Sequence, residues 1–185
     1  PGSRTQEIRE LLPIFLEASK TLGFDDIVIP TIKNQESYVK SIAEEYTHIR
    51  VITDESEKIS LYRDAKLAIV ASGTATLQLA LSGCPMIVCY RLSGITYNLI
   101  KPFVKVKYIS LVNLILNSPV VPELIQSDCS VDKIRETFQT LNYQKQKENL
   151  PEDSYDIKDL KEKNNNLSEE EKQFICEINN LSDKN

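Results

Sequence analysis

Short apolar runs alternate along the chain with longer segments in which apolar residues recur every three or four positions. The apolar runs are typical of buried parallel strands, and they predict strands at 27–29, 49–53, 67–71, 85–90 and 108–111. The segments between them predict helices at 3–22, 35–47, 56–64 and 75–81. Ser3 and Gln6 form the capping-box pattern that starts the first helix. The alternation predicts an α/β fold with a Rossmann-like, mostly parallel sheet, from which a strand preceding Pro1 is missing.

The pattern changes in the last quarter of the chain and divides it into two predicted parts. Residues 1–140 hold the alternating strands and helices, whereas residues 141–166 are polar and poor in aromatic residues, which is typical of a linker. A last amphipathic helix is predicted after Ser168, which forms a capping-box pattern with Glu171. Because so short a helix is marginal in water, we expect it to dock on the body or on another chain. The second part, 141–185, is therefore a polar linker with a C-terminal helix.

The sequence Ser72-Gly73-Thr74 separates the apolar run at 67–71 from the next helix. Open α/β sheets bind their ligands at such turns, where a parallel strand ends. The first amides of the following helix lack intrahelical acceptors, and the helix dipole adds positive charge there. Gly73 permits close approach of an anion to the backbone, and the Thr74 hydroxyl can donate to it, so we predict a phosphate site. The alternative is an ordinary N-cap at a tight turn.

Three further positions join this candidate site. Gln78 lies four residues after Thr74, on the same helix face, where it can reach a ribose hydroxyl. Pro1-Gly2-Ser3-Arg4 is a second turn of small residues at a helix start, and Arg4 can pair with phosphate oxygens in a bidentate way. Asn113 follows the predicted strand at 108–111 with an amide that both donates and accepts. A solvent-exposed arginine and a turn asparagine are the alternatives.

The distribution of charge favours a surface that meets anions. Residues 150–185 carry five lysines and ten carboxylates, which accounts for the whole formal net charge of −5. Residues 65–122 contain no Asp or Glu but keep five basic residues: Lys66, Arg91, Lys101, Lys105 and Lys107. A buried sheet that excludes charge would explain the missing acids but not the retained cations.

Residue counts exclude several kinds of site. His48 is the one histidine, so a His-based catalytic triad and a His-rich metal site are excluded. The four cysteines show no CxxC pair and no metal spacing, and free thiols suit a reducing cytoplasm. No run of 18 apolar residues and no secretory leader is present. We therefore expect neither a metal nor a membrane span.

Four blocks of the sequence together resemble the lipid-A-disaccharide synthase family. In order, they are "PGSRTQEIRELLP", "ASGTATLQLALSGCPMIVCYR", "TYNLIKPFVKVKYISLVNLI" and "VVPELIQ", and they extend from residue 1 to about 127. The family comprises bacterial glycosyltransferases with two Rossmann-like halves, the GT-B architecture, and the resemblance implies that this chain is the C-terminal, nucleotide-sugar half. It implies an inverting transfer of 2,3-diacylglucosamine from UDP to 2,3-diacylglucosamine 1-phosphate in lipid A biosynthesis, with no metal and no cofactor.

The resemblance also implies roles for particular residues. Arg4 and Asn113 would be catalytic, with Arg4 on the donor diphosphate, where charge develops as the bond to the sugar breaks. Gln78 stands where the family usually has a glutamate on the ribose, and its amide can still donate and accept. The residues that would bind the UDP-sugar are Ser3, Arg4, Ser72, Gly73, Thr74, Ala75, Gln78, Arg91 and Asn113.

Further partners follow from the same resemblance. An N-terminal acceptor domain, missing here, would supply the acceptor site and the general base, so this chain alone is expected to bind UDP without turnover. Residues 95–107 mix apolar residues with three lysines, which is typical of a segment on an anionic membrane surface; a helix packed on the sheet is the alternative. The expected location is the bacterial cytoplasm, peripheral at the inner membrane. A homodimer through the tail is possible, and no nucleic acid is expected.

Two other functions stay open on the residues alone. Gln78 and the divergent tail favour a non-catalytic α/β interaction module. The architecture also suits another UDP-sugar enzyme, because a fold does not define a substrate. A Gln78→Glu variant with no gain in UDP affinity would favour the interaction module.

Overall fold

The computed structural model describes residues 1–91, 107–141 and Gln146. The helices in these residues are α1 (Thr5–Thr21), α2 (Glu36–Ala43), α3 (Glu55–Asp64), α4 (Ala75–Leu81), α5 (Leu111–Leu116) and α6 (Val131–Thr140). The strands are β1 (Ile27–Pro30), β2 (Ile49–Ile52), β3 (Ala68–Ala71), β4 (Met86–Tyr90) and β5 (Glu123–Ile125). Short 3₁₀ turns follow β1, at Lys33–Gln35, and β5, at Gln126–Asp128.

The strands form two sheets in which every pairing is parallel. β1 pairs with β2, and β4 lies between β3 and β5 in the second sheet. Helices connect successive strands, so the predicted α/β fold with a parallel sheet is confirmed. Within the described residues, β1 and β3 are each paired along one edge. The strand expected before Pro1 stays a prediction.

Helix α1 packs against both sheets through two apolar faces. One face contacts the cluster around Ile87 and Cys89 of β4, and the other contacts Ile29 of β1 and Val39 of α2. The first face consists of Leu11, Phe15 and Ala18, and the second of Ile8, Leu12 and Leu16. This three- and four-residue spacing is typical of a helix that is buried along one side. The packing fixes where α1 begins, and therefore where Arg4 lies.

Strand β4 forms the centre of the core. All five of its residues are buried: Met86 and Val88 contribute to one apolar cluster, and Ile87 and Cys89 to the other. A strand that is apolar at every position is typical of a parallel sheet covered on both faces. The carboxyl end of β4 is therefore held firmly in place.

Two local predictions are wrong. The strand predicted at 108–111 is instead an irregular segment that leads into α5, because the Ser110 hydroxyl accepts a hydrogen bond from the amide of Val112 at 3.2 Å and caps the helix. The last strand in the described residues is β5, which pairs with β4. The capping box at Ser3 does not form, since Arg4 is the N-cap residue and provides no side-chain cap.

Two predicted features lie outside the described residues: the helix after Ser168 and all but the last residue of the segment 95–107. Gln146, from the predicted linker 141–166, is described and buried. Its amide accepts from the backbone N–H of Met86 at 3.0 Å and donates to the Met86 carbonyl at 2.9 Å. At least this one residue of the predicted linker is therefore bound to β4.

Candidate functional site

The carboxyl ends of β3, β4 and β5 lie along one edge of the second sheet. The parallel register places Ala71 opposite Cys89 and Tyr90 opposite Ile125. The segment after β3 is the Ser72-Gly73-Thr74 turn, and Arg91 follows β4. Open α/β sheets bind their ligands at this edge, so the fold places the predicted turn where a ligand site is expected.

Ser72 connects two parts of this edge. Its backbone N–H donates to the carbonyl of Cys89 at 3.1 Å, and its hydroxyl donates to the carbonyl of Ile109 at 2.9 Å. The turn after β3 is thereby joined to β4 and to the segment that precedes α5. The hydroxyl oxygen keeps acceptor capacity, but its proton is already used within the protein.

The backbone of the same turn has donors available. The amides of Gly73, Thr74 and Ala75 donate no hydrogen bond within the described part of the chain. A Cβ atom built on Gly73 would meet no described atom within 4 Å, so the space beside the turn is open. Thr76 stabilises the turn from the protein interior, because its buried hydroxyl donates to the Gly73 carbonyl at 2.7 Å. This arrangement can accept an anion.

Two polar side chains at the start of α4, those of Thr74 and Gln78, face the solvent. Thr74 and Gln78 are both exposed, and Ala75 between them is half-buried. Thr74 makes no side-chain cap on the helix, so its hydroxyl is not occupied by that role. Thr74 and Gln78 are therefore accessible in the described residues, and their binding roles stay predictions.

The second predicted turn is held by an ion pair that sequence reasoning missed. Arg4 Nη1 lies 3.2 Å from Glu7 Oε1, with side chains 26% and 15% exposed respectively. A Cβ on Gly2, whose φ is +97°, would clash with the Glu7 carboxylate, so the chain passes directly over that group. Glu7 therefore orients Arg4, whereas Ser3 is exposed.

Tyr90 is the last residue of β4, and its hydroxyl is influenced by charges from the turn that carries Arg4. Its hydroxyl is buried, and the charges of both Arg4 and Glu7 act on it. Burial raises the pKa of the Tyr90 hydroxyl, with the Glu7 carboxylate adding to the effect, so the phenol stays protonated. Because the backbone N–H of Ser72 donates to Cys89, the residue before Tyr90, the turn at 72–74 lies at the end of β4. Arg91 continues this edge as an exposed cation.

Asn113 has structural partners in this chain. It lies in α5 rather than in a turn and is 1% exposed. Its Nδ2 donates to the Val121 carbonyl and to Glu123 Oε1, both at 2.8 Å, and its Oδ1 accepts from the Val121 amide at 2.9 Å. Both amide protons are therefore used within the protein. The binding and catalytic roles expected for Asn113 stay predictions, and its contacts indicate a role in holding the segment that follows α5.

The sequence did not indicate the role of Glu123, whose carboxylate accepts three hydrogen bonds. Its carboxylate accepts from the amides of Ile109 and Ser110, each at 2.9 Å, as well as from Asn113. Because Ile109 in turn accepts from Ser72, this carboxylate supports the turn after β3. One signal was present: Glu123 is the first acidic residue after the acid-free stretch at 65–122.

Gln126 is a further residue with a special conformation at this edge. It directly follows β5, and its φ of +55° lies in the left-handed region, which is uncommon for a residue with a side chain. Such backbone strain concentrates at functional sites, but no role for Gln126 was expected from the sequence.

The described residues contain neither a metal-binding cluster nor a membrane-spanning helix. In residues 1–91 and 107–141 no group of three or more His, Cys, Asp or Glu side chains is placed to hold a metal ion. Cys84, Cys89 and Cys129 are buried free thiols. None of the helices that the structure describes is long and apolar enough to cross a membrane.

Comparisons with known proteins agree on one family. A family model described as lipid-A-disaccharide synthetase matches residues 1–178. The lipid-A-disaccharide synthase of Rhodospirillum centenum is 34% identical over 140 residues, which cover 72% of this chain and 35% of that protein. The lipid-A-disaccharide synthase of Sulfurihydrogenibium sp. is 36% identical over 168 residues, which cover 80% of this chain and 43% of that protein. The chain thus spans less than half the length of these relatives.

Proposed function

The chain belongs to the lipid-A-disaccharide synthase family, and we propose that it is the donor-binding half of such a glycosyltransferase. The proposed reaction transfers 2,3-diacylglucosamine from UDP to 2,3-diacylglucosamine 1-phosphate, with inversion at the transferred sugar and without a metal ion. One observation carries the proposal: the turn at 72–74, whose amides at 73–75 donate no hydrogen bond within the described residues, is joined to the end of β4 by the bond from the Ser72 amide to the Cys89 carbonyl.

The charge developed in the reaction explains why these groups are needed. As the bond between the sugar and the UDP breaks, negative charge grows on the leaving diphosphate. Backbone N–H groups at 73–75 and the guanidinium of Arg4 would hold that charge, and preorganised donors of this kind lower the barrier by about 2–4 kcal/mol each. Glu7 contributes by holding Arg4 in place before the donor binds. Gln78 and Thr74, which are exposed beside the turn, would contact the ribose and the phosphates respectively.

The acceptor side of the reaction is assigned to the remainder of the protein. The matched relatives are more than twice as long as their matched regions, which leaves room for a second domain. We propose that this domain supplies the acceptor site and the general base. The strand expected before Pro1 would pair with the edges of β1 and β3 that are unpaired within the described residues, and so join the two sheets. On this proposal, residues 1–185 alone bind UDP and do not turn over.

A membrane location is proposed because both sugar substrates carry acyl chains. The lysines of the segment 95–107 would contact anionic lipid at the inner membrane surface from the cytoplasmic side, and the apolar residues beside them would enter the interface. The tail 141–185 is the part that we propose for a homodimer contact, since its predicted helix needs an apolar partner.

Isothermal titration with UDP tests the proposal. We expect the chain to bind UDP and the Arg4→Ala variant to bind it roughly 10- to 100-fold more weakly, as for the loss of a hydrogen-bonded charge pair. Arg9→Ala is the matched control, because Arg9 lies on the same helix with a side chain that is 63% exposed. A flat titration with the unmodified chain, or equal losses in the two variants, would contradict the assignment.

A further inference from the structure

Two buried hydroxyls in the described residues have no hydrogen-bond partner: Thr31 Oγ1 and Tyr90 OH. The two residues are 4% and 6% exposed. Thr31 directly follows β1, and Tyr90 is the last residue of β4, so both lie where a parallel strand ends. Buried polar groups are nearly always paired, because an unpaired one costs stability without compensation. Both unpaired hydroxyls therefore lie at the carboxyl ends of strands, where ligands bind in this fold class.

Tyr90 has neighbours that indicate what kind of ligand atom would pair with it. The guanidinium of Arg4 and the carboxylate of Glu7 both act on its hydroxyl. Glu7 does not accept the phenolic proton, because the Tyr90 hydroxyl has no hydrogen-bond partner within the described residues, whereas the Glu7 carboxylate accepts from Arg4 at 3.2 Å. The phenol stays protonated and remains a hydrogen-bond donor. Its missing partner is therefore an acceptor, and a negatively charged acceptor would also attract Arg4. A phosphate oxygen has both properties.

The strand that carries Tyr90 is well ordered, so the tyrosine itself does not need to rearrange when a ligand binds. This strand is paired on both sides, to β3 and to β5, and every one of its residues is buried. The tyrosine ring is thus ordered before any ligand arrives, and little conformational entropy is lost when its hydroxyl forms a bond.

We propose that Tyr90 is a donor-binding residue whose hydroxyl donates a hydrogen bond to a phosphate oxygen of the UDP-sugar, beside Arg4. This inference rests on the proposed function, and it adds a contact that neither the motifs nor the family resemblance indicated. Tyr90 distinguishes ligands that carry phosphate from those that carry only the nucleoside.

Titration of Tyr90→Phe with UDP and with uridine tests the inference, because this substitution removes only the hydroxyl. We expect the affinity for UDP to fall by about tenfold or more and the affinity for uridine to stay unchanged. Tyr62→Phe is the matched control: Tyr62 is likewise buried, but it lies on α3 in the cluster around Met86 and Val88. Its affinity for both ligands should equal that of the unmodified chain.

Thermal unfolding without ligand provides a second readout. Because the Tyr90 hydroxyl has no hydrogen-bond partner within the described residues, Tyr90→Phe should unfold at the same temperature as the unmodified chain or at a higher one. A clearly lower unfolding temperature would show that the hydroxyl has a protein partner and would overturn the inference.

The binding outcomes separate this inference from the proposed function. If Tyr90→Phe binds UDP as tightly as the unmodified chain while Arg4→Ala binds it weakly, the Tyr90 contact is wrong and the proposed function stands. If the variant loses affinity for UDP and uridine equally, the phosphate contact is wrong. If the unmodified chain binds no UDP, the proposed function fails and the Tyr90 contact fails with it.

Discussion

Replacing Glu123 by alanine removes the acceptor of three hydrogen bonds that hold the segment before α5. These bonds come from the amides of Ile109 and Ser110 at 2.9 Å and from the side chain of Asn113 at 2.8 Å. Ser110 is fully buried and Asn113 nearly so, so their donors would lose a partner that water replaces poorly. A single hydrogen bond to a charged group contributes about 1.5–3 kcal/mol.

The three losses are not independent, because all of them fall on one short segment that can relax as a unit. Glu123 is also half-buried, so water can reach part of the space that it leaves. We therefore expect Glu123→Ala to lower the free energy of unfolding by about 2–4 kcal/mol, less than the sum of three charged hydrogen bonds. For a chain of this size, the unfolding temperature should fall by about 5–15 °C.

Urea denaturation followed by circular dichroism measures this loss directly. Glu136→Ala is the matched control, because the Glu136 carboxylate is exposed and forms a surface ion pair with Lys133, so its removal should change stability little. Glu123→Gln should fall between the unmodified chain and the alanine variant, because its amide oxygen can still accept. A change for Glu123→Ala no larger than that for Glu136→Ala would refute the view that this carboxylate holds the segment.

Two further predictions concern stability away from the binding turns. Gln146→Ala should lower the free energy of unfolding by about 1–3 kcal/mol in urea denaturation, because it leaves the buried backbone N–H and carbonyl of Met86 unpaired, and an unchanged midpoint would contradict the contact. Hydrogen bonds from Ser56 and from the Glu57 amide lower the pKa of Asp54, the N-cap of α3, below its ordinary value of 3.8. The stability that this cap contributes is thus present above that value and is lost as the pH falls through the lowered pKa, so unfolding midpoints of the chain and of Asp54→Ala should differ at pH 7 and converge in strong acid.

The positions of β1 to β4 could be predicted from the sequence because each is a short, continuous apolar run. Such runs are typical of strands that are covered on both faces, and β4 meets that description at every residue. The turn at 72–74 could be predicted for a related reason: three small residues between an apolar run and a helical pattern have few alternatives. The same reasoning identified the turn that carries Arg4, whose guanidinium is paired with Glu7 in the structure.

The segment after residue 107 shows where local pattern fails. The run "YISLVNLIL" is apolar except at Ser110 and Asn113 and suits either a strand or a buried helix. The helix is stabilised by the Ser110 cap and by the carboxylate of Glu123, which lies thirteen residues further along the chain. In the same way, β5 is only three residues long and includes a glutamate, so its identity as a strand depends on pairing with β4.

The sequence by itself therefore determined the fold class, four strands and the two small-residue turns, because each depends on the preferences of neighbouring residues. Only the tertiary structure decided which polar groups are already paired. In the sequence Asn113 looked available for a ligand, but its side chain is hydrogen-bonded to Val121 and Glu123. Tyr90 looked like a core residue, but its hydroxyl has no partner within the described residues. The physical reason is that the partner of a buried polar group is chosen by spatial proximity, and proximity in a parallel sheet joins residues far apart in the chain.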